Sequence, residues 1–248
     1  MTDNTTGSSR IALVTGANKG IGQQIAVQLA ELGMTVLLAA RDPRRGDEAA
    51  AELRAAGGEA HSIALDVTDA ASVRAAAAQV DDRFGRLDVL VNNAGISGGD
   101  GQSPSSADVD LVRAVFDTNV FGVITVTNAF LPLLLRSAAP RIVNVSSGVG
   151  SLAAMADPNG PLAEMPASAA YVPSKTALNS LTVQYAKELR ESGVLVNAAD
   201  PGYCATDLND HRGFRTAAQG AAIAVQLATL EADGPTGGFF NDEGLVAW

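Results

Sequence analysis

Short apolar runs alternate with longer helical patterns along almost the whole chain, and this alternation constrains the fold more than any other feature. The apolar runs fall at 11–15, 35–39, 62–66, 87–92, 141–146, 194–199 and, more briefly, 238–241. Helical patterns fill 20–32, 44–56, 70–84, 107–135, 171–191 and 213–231. Repeated strand–helix units predict an α/β fold: a doubly wound parallel sheet of about seven strands with helices on both faces. Apolar residues make up 47% of the chain but aromatics only 4%, so the core has to come from Val, Leu, Ala and Gly. That suits buried strands lying under alanine-rich helices. Residues 10–248 read as one domain, and the polar stretch 1–9, which has no apolar h-region, reads as a disordered tail.

Charge and side-chain inventory exclude several classes of function. A net charge of −10 disfavours nucleic acid, whose counterions are displaced by a Lys/Arg surface, and it disfavours an anionic membrane for the same reason. The single cysteine, Cys204, permits no internal disulfide, and with only His61 and His211 beside it no metal site is expected. No apolar run approaches the ~20 residues of a membrane span. The expectation is a soluble cytoplasmic protein.

The first apolar run leads directly into Thr15-Gly16-Ala17-Asn18-Lys19-Gly20-Ile21-Gly22, and a helical pattern follows. Glycines at such a turn let the backbone approach a pyrophosphate, while the helix N-terminus offers unpaired N–H groups and a positive dipole end. A glycine turn after the first strand is where a doubly wound sheet binds a dinucleotide. The bland alternative is a glycine-rich turn with no ligand. Further along come Asn92-Asn93-Ala94-Gly95, Asn119, Ile142-Val143-Asn144-Val145-Ser146-Ser147, Tyr171-Val172-Pro173-Ser174-Lys175 and Asp200-Pro201-Gly202.

In this order, and over about 10–248, these motifs resemble the short-chain dehydrogenase/reductase family, whose sheet is Rossmann-type. The Gly16–Gly22 turn, Ala40-Arg41-Asp42 and the ending Gly234-Pro235, Phe239, Trp248 are most similar to the NADPH-dependent carbonyl reductases. The resemblance implies hydride transfer between a nicotinamide cofactor and a ketone, aldehyde or secondary alcohol. A phenol ordinarily titrates near 10, so it needs a nearby cation to act as an acid/base at neutral pH. Tyr171 and Lys175, four residues apart, share one helix face, and Pro173 is tolerated if Tyr171 opens the helix. Tyr171 is then the catalytic acid/base and Lys175 its cation; the bland reading is a core tyrosine and a solvated lysine. Ser147 holds the substrate oxygen, with Ser146 as competitor, and the resemblance favours Ser147. By resemblance alone, Asn119 holds a relay water.

Also by resemblance, Asp66 and Val67 contact the adenine, while Asn92, Asn93, Ala94 and Gly95 line the ribose and nicotinamide. Pro201, Gly202 and Thr206 lie against the carboxamide, and Lys175 binds the nicotinamide ribose. At the end of strand two, Arg41 can clamp a 2′-phosphate, with Lys19 opposite and Asn18 beside it, so NADP(H) is favoured. Asp42 could instead accept from a ribose 2′-OH, which leaves NAD(H) open. Arg44 and Arg45 read equally as surface charge. Cys204 reads as packing, and neither histidine receives a role. A non-enzymatic dinucleotide-binding regulator and a C=C reductase are the alternatives; the first would have lost Tyr171 and Lys175. Substrate is expected among 97–103, the loop 148–170 and the segment after Gly202, in an apolar pocket for a small or medium carbonyl compound. Family members commonly form homodimers or homotetramers, and that is the expectation here.

Overall fold

The computed structural model describes residues 9–99 and 102–248. The tail expected at 1–9 lies outside the described residues except for Ser9, whose hydroxyl donates to the Gly33 carbonyl at 2.7 Å. Residues 100–101 of the expected pocket segment also lie outside them. The order of elements is β1 (Ile11–Thr15), α1 (Gly20–Glu31), β2 (Thr35–Ala40), α2 (Pro43–Ala55), β3 (Glu59–Ala64), α3 (Ala70–Phe84), β4 (Val89–Asn92) and α4 (Val109–Phe116). A π-turn (Asp117–Phe121) leads into α5 (Gly122–Leu134), followed by β5 (Arg141–Val145), the short α6 (Leu152–Ala156), α7 (Tyr171–Glu188) and β6 (Leu195–Ala199). The chain finishes with α8 (Ala217–Ala228), β7 (Phe239–Asn241) and β8 (Gly244–Leu245).

All eight strands form one sheet in the order β3-β2-β1-β4-β5-β6-β7-β8, parallel except for the final antiparallel pair. The strand order reverses between β1 and β4, and a doubly wound sheet opens a crevice at the carboxyl ends of the strands there. Successive residues of a strand face opposite sides of its sheet, and β1 divides its side chains accordingly. Ala12 and Val14 join Ile25 and Leu29 of α1 and Ile223 and Leu227 of α8 on one face. Ile11 and Leu13 join Val80 of α3, Phe130 of α5 and Leu189 on the other. Because both faces are covered, the central strands are wholly buried, which is why they appear in the sequence as unbroken apolar runs.

Four expectations change. The pattern at 107–135 is not one helix: a π-turn separates α4 from α5, and its extra residue per turn brings Asn119 inward. The third strand occupies 59–64, not 62–66, because it is an edge strand pairing with β2 along Thr35–Ala40. The exposed Glu59 and the half-buried His61 and Ser62 break the apolar signal. The last helix begins at Ala217, not 213, where Thr216 and Gln219 cap each other reciprocally. Arg215, just before it, bridges to Cys204 instead. An eighth strand of two residues closes a hairpin in which Asn241 accepts from the Glu243 N–H at 2.9 Å; two residues are too few for periodicity to register. No helix among the described residues is long and apolar enough to cross a membrane.

Candidate active site

Residues from eight separate segments meet at the carboxyl edge of the parallel strands. At its centre Thr15, the last residue of β1, reaches across the reversal point. Its hydroxyl accepts from the N–H groups of Asn93 at 2.9 Å and Ala94 at 3.0 Å. The Asn93 amide returns a hydrogen bond to the Thr15 carbonyl at 2.8 Å and a longer one to Gly16 at 3.3 Å. Asn93 therefore holds the glycine turn in shape. Gly16 and Gly20 take φ values of 64° and 59°, in the left-handed region that favours glycine. At Gly22 a side chain would collide with the Asn93 amide and the Gly16 carbonyl, so α1 can pack this closely only without one.

The N-terminus of α1 is open, since Lys19 occupies the cap position without a side-chain cap hydrogen bond. First-turn N–H groups left in this way suit a phosphate. Asn18 and Ile21 belong to the same turn, and Thr206 packs over Gly20, 3.6 Å from where a side chain there would begin. Among the described residues no group of three or more His, Cys, Asp or Glu could hold a metal ion.

Arg41 stands exposed just beyond β2. Asp42 is engaged as the N-cap of α2, accepting from the N–H groups of Arg44 at 3.0 Å and Arg45 at 3.4 Å. Lys19, exposed, pairs with Asp207 in the loop after β6 at 2.6 Å. Asn18, Lys19 and Arg45 line a common recess of about 300 Å³ between the glycine turn and α2. Asp66 accepts from the Thr68 hydroxyl and N–H at 2.7 and 2.9 Å. Burial alone would raise its pKa, but these hydrogen bonds and the Arg41 charge hold it below the usual carboxylate value. Val67 packs against Gly122.

The catalytic candidates gather where α7 begins. Tyr171 is the first residue of that helix and Pro173 the third, so proline sits in the first turn, where it costs no backbone hydrogen bond. Lys175, 5% exposed, donates to the Val145 carbonyl at 2.8 Å and lies 5.6 Å from the centre of the Tyr171 ring. Burial lowers its pKa to about 8. The phenol of Tyr171 moves the other way: burial pushes it up to about 12, the Ser147 hydroxyl opposes the rise, and the Asp200 charge adds to it. In the chain by itself, burial is the largest influence on the phenol. Ser146, the competitor to Ser147, is buried and donates to Asn179 at 2.6 Å, which fixes it as a structural group.

Asn119 is buried in the π-turn. Its side-chain oxygen accepts from the Ile96 N–H at 2.9 Å, and its amide donates to the Ile96 carbonyl at 2.9 Å and the Ser174 hydroxyl at 3.0 Å. Ser174 in turn donates to the Tyr171 carbonyl at 2.7 Å, so Asn119 is linked to the start of α7. Gly95 fits between Asn119 and Lys175. Asn92 belongs elsewhere: its amide donates to Thr127 and Asn144, and Asn144 to Thr182, forming a buried polar ladder under the sheet edge. Pro201 and Gly202 follow β6, and Cys204, buried, donates its thiol to the Pro201 carbonyl at 3.3 Å. Burial raises that thiol, which makes it a packing group and no nucleophile.

No sequence pattern singles out Ser174, Asp200, Asp207 or His211. Ser174 and Asp200 both lie inside quoted motifs, but their contacts arise between segments far apart in the chain. His211 pairs with Asp207 at 2.9 Å.

A family model described as short chain dehydrogenase matches residues 10–215. A short-chain dehydrogenase of Penicillium roqueforti is 38% identical, covering 88% of each chain. The (-)-isopiperitenone reductase of Mentha piperita is 35% identical over 96% of this chain and 98% of its own. Among solved structures, the NADPH-bound carbonyl reductase from chicken fatty liver matches with a TM-score of 0.85 and 31% identity, covering 97% of this chain and 99% of that one. With the glycine turn, the reversal point and the Ser147–Tyr171–Lys175 edge in one crevice, the chain belongs to the short-chain dehydrogenase family.

Proposed function

We propose that this chain is an NADP(H)-dependent carbonyl reductase, reducing a ketone or aldehyde to an alcohol with Tyr171 as the proton donor. One observation carries the reading: Lys175, Asn119 and the Ser147 end of β5 converge on the half-buried Tyr171 at the edge where the glycine turn opens. A phenol pushed to about 12 is fully protonated at neutral pH, the state a reduction requires.

The residues fit the cofactor. The uncapped N-terminus of α1 and the side-chain-free approach at Gly22 suit a pyrophosphate. Arg41 is exposed, while Asp42 spends its carboxylate on capping α2, which favours a 2′-phosphate over a ribose hydroxyl. The similarity to an NADPH-bound carbonyl reductase supports the same choice. Asn18, Lys19 and Arg41 would hold the phosphorylated ribose, Asp66 and Val67 the adenine, and Ala94, Gly95, Pro201, Gly202, Thr206 and Lys175 the nicotinamide half. When bound, NADPH supplies the hydride.

Within the chain, Ser147 donates a hydrogen bond to the substrate oxygen and orients the carbonyl. Tyr171 gives that oxygen its proton as negative charge develops there. Lys175, held by the Val145 carbonyl, stabilises the phenolate left behind, and Asn119 holds the path by which a proton returns. Loss of NADPH absorbance against a panel of neutral aliphatic and aromatic ketones tests the reading. Turnover that needs NADPH and Tyr171 supports it; binding of NADPH without turnover of any carbonyl compound would leave a cofactor-binding regulator instead.

A further inference from the structure

We propose that Asp200 is a specificity-determining residue, a fixed negative charge beside Ser147 that selects neutral or cationic carbonyl substrates and rejects carboxylates. The inference rests on the carbonyl-reductase reading above. Asp200 follows the last residue of β6, and its N–H donates to the Phe240 carbonyl at 2.7 Å, so its backbone is fixed by the sheet. One carboxylate oxygen accepts from the Gly202 N–H at 3.0 Å. The other lies 2.9 Å from where a side chain on Gly148 would begin, one residue beyond Ser147. The charge therefore stands against the backbone of the residue that follows the substrate-holding serine.

Among the described residues no ion pair is made to Asp200, which accepts from the Gly202 N–H. Arg215 lays its Cδ and Nε against Gly202, and its Nη2 pairs with Asp242 in the β7–β8 hairpin and donates to the Gln219 carbonyl. Lys175 donates to the Val145 carbonyl and makes no ion pair with Asp200. That Asp200 pushes the Tyr171 phenol upward shows that its field reaches the reacting edge. The surrounding loops add apolar surface, with Ile96, Tyr203, Leu208 and Phe214 exposed and the Tyr203 and Phe214 rings 6.0 Å apart. The Ser97 hydroxyl ties the first of these loops to the second through the Leu208 carbonyl at 3.4 Å. An apolar mouth with one buried-side carboxylate suits an apolar ketone, with or without an ammonium group.

The test uses three matched ketones: acetophenone, para-acetylbenzoate and para-acetyl-N,N,N-trimethylanilinium. Their kcat/KM values are compared between the wild type and Asp200→Asn, which keeps an acceptor for the Gly202 N–H. Ratios are read, so a general loss of activity in the variant cancels. A unit charge about 12 Å away at an effective dielectric constant near 20 should raise the benzoate-to-acetophenone ratio about tenfold in the variant and lower the anilinium ratio by a similar factor. Asp200→Glu should keep the wild-type order. A second measurement needs no variant: raising ionic strength should improve the relative use of the benzoate by the wild type, because salt screens the repulsion. Turnover of acetophenone with ratios unchanged by both Asp200→Asn and salt overturns this inference and leaves the reductase reading intact. Failure to turn over any of the three, beside a wider ketone panel that also fails, removes both.

Discussion

Tyr171 and Lys175 carry opposite pKa shifts from one cause, burial, and the two shifts set separate pH limits. Tyr171, pushed to about 12, remains an acid over the whole neutral range, whereas Lys175, lowered to about 8, loses its proton just above it. Reductive kcat/KM should therefore be level below about pH 8 and fall above it, as the ammonium that stabilises the phenolate is neutralised. A rate unchanged up to pH 10 would remove the Lys175 charge from the mechanism. Stability follows the same shifts with definite signs. Between about 8 and the ordinary lysine value the folded chain holds fewer protons at Lys175 than the unfolded chain, so this group's penalty is relieved as pH rises through that window. At Tyr171 the folded chain keeps a proton the unfolded chain has lost, and that contribution fades as pH rises from 10 to about 12. Tyr171→Phe should cost about 10²–10⁴-fold in kcat while NADPH titration stays close to wild type, since only a proton donor is removed. Near-normal turnover by the purified variant would sink the assignment. Arg41→Ala should weaken NADPH by roughly 10- to 150-fold and leave NADH little changed, because a charge-assisted hydrogen bond contributes about 1.5–3 kcal/mol. KM values for both cofactors check this, and a wild-type preference for NADH would overturn it.

The glycine turn works as a unit with the loop after β4. Gly22, the Gly16 carbonyl and the Asn93 amide occupy one tight contact, so the phosphate-binding turn cannot be altered without moving the crevice wall. Gly22→Ala should destabilise the chain by about 1–3 kcal/mol through overpacking and weaken cofactor binding together with it. Thermal melts with and without NADPH read the two effects, and a wild-type melting temperature would show that the turn relaxes freely. The π-turn is a second such device. It brings Asn119 to Ile96 and Ser174, a position a regular helix over the same residues would not give it. The loop 148–170 is held at both ends, by Gly150 against α7 and by the Ala169 N–H on the Gln102 carbonyl at 2.8 Å. Its middle carries the exposed Leu152 and Met165. Exchanging its central residues should reorder kcat/KM across ketones, and an unchanged ranking would assign selectivity to the segment after Gly202 instead.

Across the whole molecule the two edges of the sheet do different work. The carboxyl edge gathers the reacting groups, and the amino edge is tied together by the buried Arg141. Arg141, 2% exposed, donates to the Leu230 carbonyl at 2.9 and 2.7 Å and to the Pro140 carbonyl at 2.8 Å, joining β5 to the end of α8. Arg141→Met should leave the Leu230 carbonyl without this partner and cost about 1–3 kcal/mol, lowering the melting temperature by roughly 2–10 °C. The kcat of the folded variant should be close to wild type, because the substitution lies at the opposite edge from Tyr171. A loss of kcat without loss of stability would contradict that separation.

The sequence alone determined the α/β alternation, the glycine turn, the Tyr171–Lys175 pair and Arg41. Each of these is a local signal: an apolar period, a turn chemistry, or two side chains one helical turn apart. What the tertiary structure decided came from contacts across long stretches of chain. The edge position of β3 hid its strand pattern, because Glu59, His61 and Ser62 are not fully buried and interrupt the apolar run. Asn92 and Asn93 look alike in sequence, yet one is buried beneath the sheet edge and the other holds the glycine turn. Lys19 pairs with Asp207, 188 residues further along the chain, which no local pattern announces. Asp42 was assigned to its helix cap only when α2 was seen to begin at Pro43. Asp200 acquired a meaning only when β6 ended beside β5, because a carboxylate acts through its field and a sequence does not record distance.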